Sequence, residues 1–308
     1  MSQSEALFLE SLSTTRERND IAEYDYKSEN IISRDTVREY YSKVADYIFP
    51  YIKNRPQIIK RDYSDQYLKA YKFSQNKQLA YAHEDVIEDD YSELDSRDEE
   101  CIVCYNKETL EYINNLGCIE ITPWHSSIEN LDHPDYMIIS IEPSKRNTFI
   151  QAVRVAKMVK GVLDKAGADG FCKTSGDLGL HIYVPVGKKY PYRLVRELAY
   201  TICLHTNFKI PELTSLQRDQ AEENQKVYLN YQINRRGQTL AAPYSMRPHS
   251  WAPVSTPLLW SELKDDLNPF DFNINTVPHR LEKCGEIFLG IFERGIDLEN
   301  CMRKLQYE

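Results

Sequence analysis

Apolar side chains recur at helical spacing in three stretches of the chain. The first covers residues 37–48 and is closed by Pro50, and the other two predict helices over about residues 147–165 and 191–207. Each stretch carries one apolar stripe, as expected of a helix that packs against a core. The stripes consist of Val37, Tyr40, Tyr41, Val44, Ala45 and Ile48; Phe149, Val153, Ala156 and Val159; and Leu194, Val195, Ala199 and Ile202.

Segments rich in Ile, Val and Tyr separate the last two helices and predict strands. From Tyr136 onward the predicted order is strand, helix, strand, helix, strand, and the proline-rich part from Ala252 is expected to end in a helix near residues 280–305. This order indicates an α/β (α+β) fold.

The pattern also suggests three parts of the chain. Residues 1–30 are polar without a clean period and predict an N-terminal extension. Residues 31–125 predict an N-terminal module, and residues 126–308 predict a core that ends in the C-terminal helix. We expect the module and the core to pack together.

Alternation along three strands places polar residues on one face. Side chains of a strand point alternately to its two faces, so Ser140 and Glu142 share a face while Ile139 and Ile141 point to the core. By the same rule, His181 and Asn230 lie on the polar faces of their strands.

These strands and their flanks resemble the polymerase domain of bacterial DNA ligase D, a member of the archaeo-eukaryotic primase superfamily. The resemblance runs from about Ser33 to Arg280 and rests on the order and spacing of several motifs. The motifs are residues 40–50, 135–143, 173–185, 228–239, 242–247 and 251–262. It implies a primase-polymerase core with antiparallel or mixed sheets flanked by helices, plus the N-terminal module.

The resemblance also assigns the acidic positions. In that family three aspartates hold two catalytic metal ions, and the matching positions here are Ser140, Glu142 and Asn230. Only Glu142 retains a carboxylate, so it is the one remaining candidate metal ligand. Thr122 stands where the family tends to have His before Pro-Trp, and His125 lies nearby in the sequence.

Phosphate-binding positions are better preserved. The resemblance implies nucleotide or phosphate contacts from Lys173, Ser175, His181 and Arg247. Asp177 and Leu178 stand where the family usually has Gly and Lys. A negative charge that repels phosphate therefore replaces a positive charge that attracts it. The family binds the 5′-phosphate of DNA ends through basic residues of its N-terminal module, and the candidates here are Arg34, Lys53, Lys60 and Arg61, with Lys72 and Lys77 in the same region.

Three hypotheses follow for function. The leading one is a protein of bacterial non-homologous end joining that binds DNA ends, nucleotide or both, and whose polymerase activity is lost or strongly impaired. The second is an active nucleotidyltransferase that uses Mn²⁺ or Mg²⁺ at a rebuilt site, with Asp135 or Asp177 joining Glu142. The third is a scaffold for a repair partner, such as a separate DNA ligase or an end-bridging protein.

The composition says more about where the protein is expected to act than about which reaction it carries out. The formal net charge of −9 argues mildly against nucleic acid, although acidic residues concentrate in a predicted loop over residues 84–100. Seven cysteines, no long apolar run and no signal-like N-terminus predict a cytoplasmic, nucleoid-associated protein without a membrane partner. Cys101 and Cys104 form a lone CxxC that predicts ordinary thiols rather than zinc ligands, and Cys172 is expected to be buried.

Overall fold

A computed structural model describes residues 32–61, 101–115 and 118–306 of the chain. The acidic stretch 84–100, the N-terminal extension, Lys72 and Lys77 lie outside these ranges. Within the described ranges, none of the helices combines the length and apolar composition that crossing a bilayer requires.

The first predicted helix is present as α1, Arg34–Ile52. Ser33 caps it by accepting a hydrogen bond from the backbone N–H of Thr36. The helix continues past Pro50 for two residues, because a proline in the last turn removes only its own backbone donor and Lys53 N–H still bonds to Phe49 O.

The two core helices also lie where the pattern predicts them. They are α3, Phe149–Ala166, and α4, Tyr192–Lys209. Thr148 and Gln151 form a capping box at the start of α3, and Gly167 ends it in the left-handed conformation at φ 71°.

The C-terminal prediction of one helix near residues 280–305 was wrong. The segment forms α6, Val277–Cys284, a short 3₁₀ turn at Leu289–Phe292, and α7, Leu298–Gln306. Gly285 and Gly295 adopt φ of 64° and 79°, which a continuous right-handed helix does not allow, so they divide the segment.

A six-stranded sheet forms the centre of the core. Its order is β7-β8-β4-β6-β5-β9, and all neighbours are antiparallel except β7 and β8. The strands are β4, Tyr136–Glu142; β5, Phe171–Thr174; β6, Leu180–Pro185; β7, Thr214–Ser215; β8, Val227–Asn230; and β9, Pro257–Leu258. Helices α3 and α4 pack on this sheet and on α7, while α5, Arg218–Glu223, lies between β7 and β8 in sequence.

A second sheet of three antiparallel strands belongs to the N-terminal part. Its order is β2-β1-β3, formed by Cys101–Val103, Pro56–Arg61 and Cys118–Pro123, with helix α2 at Lys107–Asn115. The mixed α/β fold with two sheets is therefore confirmed.

The N-terminal part and the core share one continuous set of buried apolar residues. Tyr41 shows how closely they join: its hydroxyl donates to Ile119 O at 2.6 Å and accepts from Met246 N–H at 3.1 Å. Contacts such as the one between Tyr41 and Met246 join the predicted N-terminal module to the predicted core. The boundary between the two parts at residue 125 stays a prediction.

Candidate nucleotide and metal site

Four of the candidate residues form one row across the six-stranded sheet. Asn230 on β8 is in register with Ser140 on β4, Ser140 with His181 on β6, and His181 with Lys173 on β5. Residues in register on neighbouring strands share a face, with Cβ atoms about 4.5–5.5 Å apart. The sheet thus brings together residues that are up to 90 positions apart in sequence, such as Ser140 and Asn230.

Glu142 lies beside this row with both carboxylate oxygens engaged. Oε1 accepts from Ser140 Oγ at 3.0 Å and from Asn230 Nδ2 at 2.8 Å. Oε2 accepts from the Arg218 guanidinium at 2.6 Å. The short distance to Arg218 is that of a charge-assisted bond, so the remaining carboxylate of the site already has a cation as its partner.

Local structure fixes Arg218 at this place. It is the first residue of α5, and the turn before it is held by Ser215, whose hydroxyl donates to Gln217 O and accepts from Gln217 N–H. Ser215 pairs with Tyr228, and the Arg218 guanidinium lies 4.9 Å from the centre of the Tyr228 ring. Contact with an aromatic face and a carboxylate together restricts a planar guanidinium.

The residues present do not fit two divalent ions. Ser140 and Asn230 are neutral, and among the described residues no group of three or more His, Cys, Asp or Glu could hold a metal ion. Asn230 Oδ1 is buried without a hydrogen-bond donor among those residues, so the row offers a cation one carboxylate and neutral oxygens. Hard divalent cations in phosphoryl-transfer sites depend on carboxylates for charge compensation.

Lys173 and His181 form a buried pair. Lys173 is fully buried, and its Nζ bonds to His181 Nδ1 at 2.9 Å and to Ser255 Oγ. Burial, with Arg247 nearby, lowers the pKa of Lys173 well below its usual range. Burial and the neighbouring Lys173 likewise lower the pKa of His181, so both groups favour their neutral forms. Lys173 therefore does not reach the surface as a direct phosphate contact and instead supports the ring of His181.

The turn between β5 and β6 is organised by Ser175. Its hydroxyl accepts from Asp177 N–H at 3.0 Å and from Gly179 N–H at 3.1 Å. Gly176 adopts φ 81°, and a Cβ there would stand 2.5 Å from Arg247 Cγ. The turn thus packs directly on the Arg247 stem, and the predicted phosphate contacts Ser175 and Arg247 lie side by side.

Arg247 is a quarter exposed and forms an ion pair with Glu120 of β3 at 3.0 Å. Glu120 is buried and in register with Lys60 of β1. This pair connects the turn between β5 and β6 to the three-stranded sheet of the N-terminal part. Thr122, two residues further along β3, is buried and in register with Ile58.

The DNA-end candidates fall into two places. Arg34 and Lys53 are both exposed but lie at opposite ends of α1, about 28 Å apart at 1.5 Å per residue. Arg61 of β1 is in register with Cys118, the neighbour of Ile119, whose carbonyl accepts from Tyr41. Lys60 and Arg61 stand at the end of β1 that pairs with Glu120 and Cys118 of β3.

Among the described residues, neither of the two acids considered as rebuilt metal ligands belongs to a group of three or more that could hold a metal ion with Glu142. Asp135 precedes the opposite end of β4 and is buried against Arg55, with 2.8 Å between the charged atoms, and Lys188 adds a second cation at 3.6 Å. Asp177 lies in the turn beside Arg247 and His249. Burial lowers the pKa of His249 below its usual value, and the carboxylate of Asp177 opposes part of this shift.

Five of the cysteines whose side chains the structure describes are buried, and Cys284 is exposed. Cys104 and Cys172 are buried, and burial raises the pKa of each thiol to about 12. Neither thiol is activated at neutral pH.

Sequence reasoning did not single out Arg218, Glu120 or Ser255. Arg218 stands twelve residues before Asn230 in a polar turn that has no motif. Its role depends on the parallel pairing of β7 with β8, which is a tertiary feature without a local signal.

Comparisons with known proteins show what this chain is similar to. The family model described as "LigD, primase-polymerase domain" matches residues 33–288. The bifunctional non-homologous end joining protein LigD of Bacillus subtilis is 29% identical over 260 residues, which cover 84% of this chain and 41% of that protein. The multifunctional LigD of Pseudomonas aeruginosa is 29% identical over 168 residues, which cover 54% and 20% of the two proteins. The chain thus spans less than half of the curated relatives it matches.

A solved structure, the polymerase domain of Mycobacterium tuberculosis ligase D in complex with DNA, superposes with a TM-score of 0.70. It is 21% identical, and the match covers 86% of this chain and 93% of that chain. The family match begins at Ser33 and reaches slightly beyond Arg280, so the range of the predicted resemblance is confirmed. This chain belongs to the LigD primase-polymerase domain family.

Proposed function

We propose that this protein acts in bacterial non-homologous end joining by binding 5′-phosphorylated DNA ends and nucleoside triphosphate, and that its polymerase activity is lost or strongly impaired. One observation carries the second half of the proposal: Ser140, Asn230 and Arg218 together occupy both oxygens of Glu142. The two-metal mechanism places positive charge on the attacking and leaving oxygens, and this site lacks the acids to hold it.

Phosphate binding is supported by the groups that remain. The Ser255 hydroxyl donates to Thr174 O, so its oxygen accepts from the Lys173 amine. When Lys173 also donates to His181 Nδ1, the other ring nitrogen, Nε2, carries the proton and is a donor. A triphosphate would then meet an imidazole N–H, the Ser175 turn and the Arg247 guanidinium.

Binding of DNA ends is supported by the position of the basic residues. The M. tuberculosis domain was solved in complex with DNA, and this chain has its fold. Tyr41 of α1, the helix that begins at Arg34, bonds to Ile119 of β3 and to Met246, which precedes Arg247. We propose that a DNA end held near Arg34 lies on the same side of the molecule as the turn that carries Ser175. A DNA ligase or an end-bridging protein is the partner that this function would require.

A mobility-shift titration tests end binding directly. The probes are a gapped duplex with a 5′-phosphate and the same duplex without it, over a range of salt concentrations. We expect tighter binding of the phosphorylated probe and a steep loss of affinity with salt. Arg34→Ala should remove the preference for the phosphate. Lys43→Ala, which removes the same charge from the exposed Lys43–Glu39 pair of α1, is the matched control and should retain it.

Equal affinity for both probes would contradict the proposal. It would favour the scaffold hypothesis if the protein also showed no affinity for DNA at low salt.

A further inference from the structure

We propose that the Arg218 guanidinium is the permanent cation of this site, so that the chain binds nucleoside triphosphate without a divalent metal. The inference rests on the proposed nucleotide binding and specifies its dependence on ions. Ser140, Glu142 and Asn230 offer one carboxylate where the family has three to hold two metal ions.

The geometry shows what a metal ion would have to displace. Glu142 Oε2 is 2.6 Å from Arg218, and Oε1 accepts two hydrogen bonds, from Ser140 and Asn230. A divalent ion that binds this carboxylate must break the ion pair and reorient both neutral donors. It would gain one acid in return, and in the described part of the chain no group of three or more His, Cys, Asp or Glu that could hold a metal ion includes Glu142.

The charges near the row also compensate each other. Glu142 is paired with Arg218, and Arg247 with Glu120. Burial favours the neutral forms of Lys173 and His181. At Glu142 a metal ion therefore meets a carboxylate that already has a cation as its partner, and an approaching triphosphate meets the same neutralised carboxylate.

The position of Arg218 suits it to this task. Its side chain is about half exposed, and Glu142 is less exposed at 30%. The guanidinium holds Glu142 with one nitrogen and lies over Tyr228, which leaves its other N–H donors available to an approaching phosphate. An arginine cannot be removed by a chelator, so binding through it differs from metal-dependent binding in a measurable way.

Equilibrium dialysis of radiolabelled ATP with the full chain, in EDTA and separately in MnCl₂, tests the inference. We expect wild-type affinity to be the same within about twofold in the two conditions. Arg218→Ala should weaken binding in EDTA by about tenfold, as expected for loss of one charge-assisted contact in a partly exposed site, and Mn²⁺ should restore part of it. Arg218→Lys keeps the charge and should retain most of the affinity in EDTA.

A matched control is Arg193→Ala on the surface of α4. Arg193 also pairs with an acid, Glu197, at 3.7 Å, and it is exposed. This variant should bind ATP as the wild type does, and unchanged melting temperatures would show that both alanine variants are folded.

Titration of Mn²⁺ followed by electron paramagnetic resonance gives a readout that needs no nucleotide. We expect wild-type protein to leave the signal of free Mn²⁺ unchanged and Arg218→Ala to bind the ion through the released Glu142. Bound Mn²⁺ in the wild type, or ATP binding that EDTA abolishes, would overturn the inference. If no ATP binds under any condition, the proposed nucleotide function fails, and the Mn²⁺ titration alone decides the role of Arg218.

Discussion

His125 provides the sharpest test of the electrostatics of the core. Its side chain is 1% exposed, and neither ring nitrogen has a hydrogen-bond partner among the described residues. The ring lies 5.8 Å from that of Tyr136. Burial, with the nearby charge of Arg55, lowers the pKa of His125 from 6.5 to about 3.

The sign of the pH effect follows from linkage. The unfolded chain takes up a proton on His125 near pH 6.5, while the folded chain resists it until about pH 3. The folded state is therefore fully favoured above pH 6.5 and loses stability as the pH falls through this window. The loss attributable to this side chain is about 2 kcal/mol between pH 7 and pH 5, and it reaches about 4 kcal/mol at pH 3.

The assay is urea unfolding of wild type and His125→Phe at pH 7 and pH 5. Phenylalanine keeps an aromatic ring beside Tyr136 and cannot titrate, so the variant should lose about 2 kcal/mol less than wild type between the two pH values. His279→Gln is the control, because His279 is 75% exposed and its change should leave the wild-type pH profile intact. Equal losses in wild type and His125→Phe would refute the reasoning.

Three further predictions concern the supports of the site. Arg55→Met should destabilise the protein by about 3 kcal/mol in urea unfolding, because it leaves Asp135 buried with only the more distant Lys188. Lys173→Met should lower the free energy of unfolding by about 1–3 kcal/mol, because it leaves His181 and Ser255 without their partner. A loss outside this range, measured by calorimetry, would show that the buried pair is not formed. Gly176→Ala should weaken ATP binding at least severalfold, since a Cβ there meets the Arg247 stem at positive φ. Gly161→Ala, at an open helical position, should instead raise the free energy of unfolding by about 0.5–1 kcal/mol, and weakened ATP binding in this control would contradict the local explanation.

Local patterns predicted most of the fold. Apolar periodicity located α1, α3 and α4 because each helix buries one stripe, and alternation placed Ser140 and Glu142 on one face of β4. The C-terminal helix was overextended because Gly285 and Gly295 interrupt a stretch whose apolar spacing alone does not show a break. The resemblance assigned residues of distant strands to one site, which periodicity could not do, but it gave no pairing of the strands.

The electrostatics of the site could not be predicted from the sequence. Arg55 lies between Lys53 and Lys60 in the sequence, yet it is buried against Asp135, eighty residues away. Lys173 matched a phosphate-binding motif but is enclosed by Ser255 and His181. Burial and ion pairing depend on which segments meet in space, so the charge state of each group follows only from the tertiary structure.

Primer extension tests the central claim most directly. The substrate is a gapped duplex with a 5′-phosphate, supplied with ribo- or deoxynucleotides and with Mn²⁺ or Mg²⁺. The arrangement of Glu142 with Ser140, Asn230 and Arg218 predicts that the protein shifts this duplex in a gel but does not extend the primer. Extension by pure wild-type protein that disappears in Glu142→Ala would contradict the account and show that the site still carries out metal-dependent polymerisation.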